Sequence, residues 1–171
     1  VPAVYLLTGI SAAGKSTVAE ALAHRFPRGV HVRGDAFRRW IVRGRVDMAP
    51  GADGEAVDQL RLRYRLLAGA CDAYWAAGFT VVAQDVVLGP HLAETAALIT
   101  ARPLHVIVLD PDPEVVARRE SARAKSAYAE HTIGALAAVL RTETPRIGHW
   151  LDTSRLSVTR TVEEVLRVTG S

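Results

Sequence analysis

Residues 9–16 read Gly9-Ile10-Ser11-Ala12-Ala13-Gly14-Lys15-Ser16, which fits the pattern GxxxxGKS, and the apolar run Ala3-Val4-Tyr5-Leu6-Leu7 leads straight into it. A buried strand, a glycine-rich turn and the start of a helix are thereby set in that order. The types present serve separate ends: Gly9 and Gly14 let the backbone curl so that successive N–H groups point inward at phosphate oxygens. Lys15 is placed to reach the β and γ phosphates, and the Ser16 hydroxyl to ligate Mg²⁺. Ser16 and Thr17 open a helix whose positive end adds to the same anion site. The stretch reads as a phosphate-binding loop for a nucleoside triphosphate.

A chain of 171 residues is most simply one domain, long enough to bury roughly 70 per cent of its unfolded surface. With 49 % hydrophobic and 23 % charged residues, disordered and fibrous classes are excluded. No run approaches the ~18 apolar residues of a membrane span, and no basic segment leads into an apolar one at the N-terminus. The expected location is the cytoplasm, with no membrane partner. Cys71 is the only cysteine, so an intrachain disulfide and a thiolate zinc cluster are both ruled out; its apolar helical setting makes it a small core residue. The net charge of +3 comes from scattered basic residues accompanied by 18 acidic ones, and no nucleic-acid partner is expected. Asparagine is absent from the chain, which removes the NKxD guanine-reading motif and favours ATP.

Nearly continuous β-branched and aliphatic runs predict strands at 3–7, 29–33, 79–84 and 104–109, with a short fifth at 149–151. Such runs suit strands buried on both faces of a parallel sheet. Helical patterns cover 16–26, 36–43, 55–77, 91–101, 113–122, 132–141 and 162–168, with Thr161 as the expected N-cap of the last and Gly170 as its stop. Strands alternating with helices predict an α/β sandwich. Ligands of such sheets bind beyond the carboxyl ends of the strands, so residues 9–16, Asp35, Asp85 and the stretch after Asp110 should meet at one rim. The turn-rich stretch 48–54 interrupts the pattern, either as a cap over substrate or as a plain surface connection.

Phosphoryl transfer needs charge neutralisation, positioning and an acceptor-orienting base. Asp85 follows a buried apolar strand, which suits a carboxylate that holds Mg²⁺ directly or through water; the competing role is a cap after the strand. Asp35, after the second strand, faces the γ phosphate, where it could accept or orient the proton of an incoming hydroxyl, or else simply N-cap the helix that follows. Asp110 precedes Pro111 and Pro113 and is read as a turn residue. The cluster from Arg118 to Lys125 supplies cations able to close over a triphosphate, with Arg119 and Arg123 preferred, against the plain reading of a solvated helix face. Thr153-Ser154 could lie near adenine. The histidines show no metal-binding spacing, and Trp40, Trp75 and Trp150 are expected chiefly in the core, the other place being the lining of the acceptor pocket.

These residues together resemble the small P-loop kinases of the nucleoside monophosphate kinase type, and more narrowly the chloramphenicol phosphotransferase-like group. The likeness rests on residues 9–16, Gly34-Asp35, Asp85-Val86-Val87-Leu88-Gly89 and the Arg118–Lys125 cluster, and so covers most of the chain. It implies a three-layer P-loop fold with a five-stranded parallel sheet of order 2-3-1-4-5, a lid near 118–131 and an acceptor cap near 36–60. It further implies ATP with Mg²⁺ and transfer of the γ-phosphoryl group to a hydroxyl of a small molecule, antibiotic-like or metabolite, with Asp35 matching the base. Lys15, Arg119 and Arg123 would act on the transferred group, and Arg118 on the nucleotide. The segment 37–54 departs from the antibiotic kinase, so the acceptor does not carry over. Nucleoside or nucleotide acceptors, and a regulatory ATPase module that signals through a partner, are the competing readings. Monomer and homo-oligomer are both left open.

Overall fold

The computed structural model describes residues 1–10, 13–49, 51–121 and 127–171. Five parallel strands, β1 (Val4–Thr8), β2 (Gly29–Arg33), β3 (Thr80–Gln84), β4 (Leu104–Leu109) and β5 (His149–Leu151), lie in the order β2-β3-β1-β4-β5. That is the expected topology. Among the described residues seven helices accompany them: α1 (Lys15–Ala23), α2 (Gly34–Arg39), α3 (Glu55–Ala76), α4 (Pro90–Leu98), α5 (Pro113–Ser121), α6 (Ala127–Glu143) and α7 (Val158–Thr169). The central strands β1 and β3 are buried along their whole length, because helices cover both faces of the sheet. Each fully buried Leu or Ile of the sheet, such as Leu6 and Leu7 of β1 and Ile107 of β4, contributes about 1.5–3 kcal/mol over an exposed one. At the edge, β2 is largely half-exposed, so its apolar run overstated its burial.

Register aligns the carboxyl ends of the strands. Leu7 sits opposite Gln84 on one side and Ile107 on the other, and Gln84 sits opposite Arg33. Gly34, Asp35 and Asp85 lie one or two residues beyond that row, and Gly9 begins just past Thr8. The Asp85 N–H donates to the Leu7 carbonyl at 3.2 Å, and the Thr8 hydroxyl both donates to the Val87 carbonyl (2.8 Å) and accepts from the Val87 N–H (2.9 Å). The chain after β3 is thereby stitched to the start of the phosphate loop.

Several helix boundaries differ from expectation, each for a local reason. α2 starts at Gly34 and stops at Arg39, before the β-branched pair Ile41-Val42, and Arg33 occupies its N-cap position. Asp35 is inside the first turn, so its competing role as a cap is excluded. α4 ends three residues early because the Asp72 carboxylate takes the N–H groups of Thr100 (3.0 Å) and Ala101 (2.9 Å), drawing the chain out of the helix. α6 begins at Ala127, one helical turn and more ahead of expectation, in an alanine-rich stretch that favours helix. α7 begins at Val158, since Ser157 rather than Thr161 caps it: the Ser157 hydroxyl accepts from the Arg160 N–H at 3.1 Å. Thr161 is buried within the helix and donates back to the Ser157 carbonyl at 2.9 Å. Trp40 is 71 % exposed and edge-on to Phe37, which corrects its expected place in the core. Trp75 and Trp150 are half-buried and pack against the core, and Cys71 is fully buried.

Candidate active site

The loop after β1 is shaped by two glycines. A side chain at Gly9 would meet the Leu109 carbonyl oxygen at 2.7 Å, and Gly14 takes a left-handed φ of +89° at the N-cap of α1 with open space beside it. Ile10 and Ala13 are buried in the wall of the loop, while Ser16 and Thr17 follow Lys15 in the first turn of α1. Ser11 and Ala12, also expected in the cradle, lie outside the described residues.

Lys15 is the charged centre of this loop. Its side chain is buried, and its Nζ donates to the Ile10 carbonyl at 2.9 Å. Burial pulls its pKa down from 10.5 to about 8; the Asp85 charge acts the other way, and Arg63 reinforces the drop. A buried ammonium that, among the described residues, donates to a single carbonyl suits a site meant for an anion. The Ser16 hydroxyl accepts from the Gln84 side-chain amide at 3.1 Å.

Asp85 is buried where expected, but its carboxylate is engaged. Arg63, from α3, donates from Nε to Oδ2 at 2.7 Å and from Nη2 to Oδ1, while the Val86 N–H donates to Oδ1 at 2.7 Å. Arg63 was not foreseen. Its signal was present in the α3 pattern, because Leu60, Tyr64, Leu67 and Cys71 form the inward stripe and Arg63 is next to it; a cation there needs a carboxylate. Gly34 provides the room: a Cβ on it would collide with the Asp85 carboxylate and lie 2.8 Å from the Asp85 Cβ.

Asp35 faces the same centre from α2. Its Oδ1 accepts from Arg38 Nε at 2.9 Å, and its Oδ2 lies 2.6 Å from Arg39 Nε. Partial burial pushes its pKa up, but the Arg38 hydrogen bond and the Arg38, Arg39 and Arg63 charges outweigh this and hold the carboxyl below its usual value. It is a carboxylate at neutral pH.

Two hollows flank this line of charges. One, of about 300 Å³, is lined by Gly14 and Thr17 of the loop and α1, by Arg119 of α5 and by Thr153 after β5. The buried Thr153 hydroxyl has no hydrogen-bond partner among the described residues. Ser154 turns away, its hydroxyl 2.5 Å from Asp152 Oδ1. Arg119 thus reaches the loop from the cationic cluster; Arg118 is exposed on the same helix, and Arg123 and Lys125 lie outside the described residues. The other hollow, about 480 Å³, opens on the far side, where Arg38 and Arg63 form its polar end and α3, α4, α6 and the chain after α2 its walls. The Gln59 side chain secures that wall, accepting from the Val46 N–H and donating to the Gly44 carbonyl, both at 2.8 Å.

A glycine-lined anion loop, a buried lysine and strand-end aspartates on a 2-3-1-4-5 sheet define the P-loop kinase fold. The chain belongs to the AAA domain family, whose model matches residues 4–145. Among solved structures it is similar to a sugar kinase from Janibacter sp. HTCC2649, at 22 % identity over 99 % of this chain and 95 % of that one, with a TM-score of 0.71. It is similar too to a gluconokinase from Sinorhizobium meliloti 1021 (19 % identity, 97 % and 90 % covered, TM-score 0.69). The tunicamycin resistance protein of Deinococcus radiodurans gives 18 % identity, 99 % and 96 % coverage and a TM-score of 0.74. No curated protein matches in sequence. At these identities the structures speak for the fold.

Proposed function

We propose that the chain transfers the γ-phosphoryl group of ATP to a hydroxyl of a small molecule. The observation that carries this reading is the joint placement of the Lys15 loop and the Asp35 carboxylate at one sheet rim, with a hollow on either side. The hollow beside Gly14 suits the nucleotide base, with the unpartnered Thr153 hydroxyl open to a ring nitrogen or amine and Arg119 above it. The larger hollow suits the acceptor.

Lys15 then meets the β and γ phosphates, where their charge favours its protonated form and removes the cost of its burial. Asp35 orients the acceptor hydroxyl and takes its proton as the oxygen bonds to the γ phosphorus. The β–γ bridging bond breaks and ADP leaves with the electron pair. Ser16 and Asp85 are the residues that would hold Mg²⁺, and one carboxylate with a hydroxyl fits an ion that keeps phosphate and water among its ligands. When bound, that ion would neutralise charge on the phosphates. Arg63 has to yield at least one Asp85 oxygen for this.

Incubation with ATP labelled in the γ phosphate, Mg²⁺ and a library of antibiotics, nucleosides and metabolites tests the reading. Label should move to a library member with the parent chain, fall at least 10²-fold with Asp35→Asn and vanish with Lys15→Ala. Release of labelled phosphate alone, unaffected by any acceptor, would favour a regulatory ATPase instead.

A further inference from the structure

Val46, Met48, Leu62 and Leu66 are 39–48 % exposed, and all four line the 480 Å³ hollow at the Asp35 side. Large apolar side chains gathered at one opening mark a binding surface rather than chance exposure. Phe37 and Leu60 continue the apolar lining inward. The volume is that of a pocket for a small organic molecule.

The charges at its polar end are already matched. Arg38 pairs with Asp35 at 2.9 Å and with Asp47 at 3.1 Å, and Arg63 grips both oxygens of Asp85. Asp47 and Glu143 add carboxylates to the lining, and His91 adds an imidazole whose buried Nδ1, 3.6 Å from Glu94, has no hydrogen-bond partner among the described residues. Among the described residues lining the hollow, no arginine or lysine lacks a carboxylate partner, and Arg63 would keep one Asp85 oxygen after yielding the other to Mg²⁺. An anionic acceptor would have to break an existing pair and then face the released carboxylate. A free sugar would lay several of its hydroxyls against the aliphatic side chains of this wall, where they find no partner.

We infer that the acceptor is an uncharged alcohol with a large apolar body, its hydroxyl at the Arg38–Arg63 end and its body against Val46, Met48, Leu62 and Leu66. This rests on the phosphotransfer reading above and narrows it. In the reaction the alcohol oxygen bonds to the γ phosphorus, ADP departs with the bridging electron pair, and the hydroxyl proton passes to Asp35.

The test is calorimetric titration of 4-phenyl-1-butanol, sodium gluconate and AMP into the full chain saturated with a non-hydrolysable ATP analogue and Mg²⁺. The phenylalkanol should bind with a negative heat-capacity change. Leu62→Glu and Leu66→Glu, both at exposed α3 positions, should weaken it at least tenfold while analogue affinity and helix content stay as they were. Absence of phenylalkanol binding, tighter binding of gluconate or AMP, or indifference to the leucine variants would each overturn the inference. So would sedimentation as a dimer that Leu66→Glu dissociates and the alcohol does not. Analogue binding is read separately: a chain that takes the alcohol but no nucleotide keeps the ligand class and loses the kinase, whereas transfer of label to gluconate does the reverse.

Discussion

The Arg63 guanidinium, reaching in from α3, holds both carboxylate oxygens of Asp85 at the end of β3. Both side chains are largely removed from water, Asp85 almost wholly so. Desolvation alone would weaken the Arg63 charge, but the Asp85 hydrogen bond and charge overcome it and raise the arginine pKa. A pair of this kind adds little over a well-packed apolar one, yet breaking it leaves a buried charge with no partner. Arg63→Met should therefore cost about 3 kcal/mol at neutral pH, and Arg63→Met with Asp85→Asn should recover most of that loss. Urea unfolding of the single and double variants measures the coupling. Additive losses would mean that the two groups do not depend on each other.

Gly34→Ala sets two effects against each other. Alanine in place of glycine favours a helix by about 1 kcal/mol. The new methyl group would overlap the Asp85 carboxylate and sit 2.8 Å from the Asp85 Cβ, so rotating the carboxylate does not clear it while Arg63 holds the other side. Overpacking of this sort costs about 1–3 kcal/mol, and the clash should win. Net destabilisation by melting, with loss of phosphotransfer, is the expected result; a rise in Tm would show that α2 can move away from β3 freely.

What could be read before the structure follows from what each signal measures. β2, β4 and β5 were bounded to the residue because turn formers or charged groups flank short apolar runs. The loop from Gly9 to Ser16 carried its own instructions, since glycine, lysine and hydroxyl are each required where they stand. α2 was overextended because the β-branched pair Ile41-Val42 disfavours a helix only weakly; the chain beyond, pinned to Gln59 from α3, completes the break. Such a tether joins residues 13 and 15 positions apart and leaves no periodic trace. Arg63 was missed although it borders the inward stripe of α3. Its charge reads as solvated until the sheet order brings Asp85 beside it.

The Ser157 cap gives a direct check on the α7 boundary. Ser157→Ala should cost about 1 kcal/mol, the usual loss for a serine N-cap, because the Arg160 N–H loses its acceptor. Thr161→Val keeps the buried volume and removes only the bond to the Ser157 carbonyl, so a smaller loss is expected. α7 packs on α1, the helix that carries Lys15, and the first variant should thus lower the melting temperature. Equal losses from both variants would place the helix start nearer Thr161.

Lys15 ties stability to function with a definite sign. Its pKa in the folded chain, about 8, is below the unfolded value of 10.5, so the unfolded state holds the proton more tightly between those values. The burden on the folded state is full below pH 8 and is relieved as pH climbs towards 10.5. A drop of that size amounts to roughly 3 kcal/mol against the charged form, and losing the bond to the Ile10 carbonyl returns about 1 kcal/mol. Lys15→Met should therefore stabilise the nucleotide-free chain by about 2 kcal/mol at pH 7, which is ~4–8 °C at 2–4 °C per kcal/mol for a domain of this size. The advantage should shrink between pH 8 and 10, and ATP should raise the melting temperature of the parent but not of the variant. In the same window kcat/KM for ATP should fall with a midpoint near pH 8, since that ratio reports the free protein, whereas kcat should hold to higher pH because bound phosphate restores the charge. A methionine variant that melts lower than the parent at every pH, with no midpoint in kcat/KM below pH 10, would show that the ammonium is not strained by its burial and that the loop is not waiting for an anion.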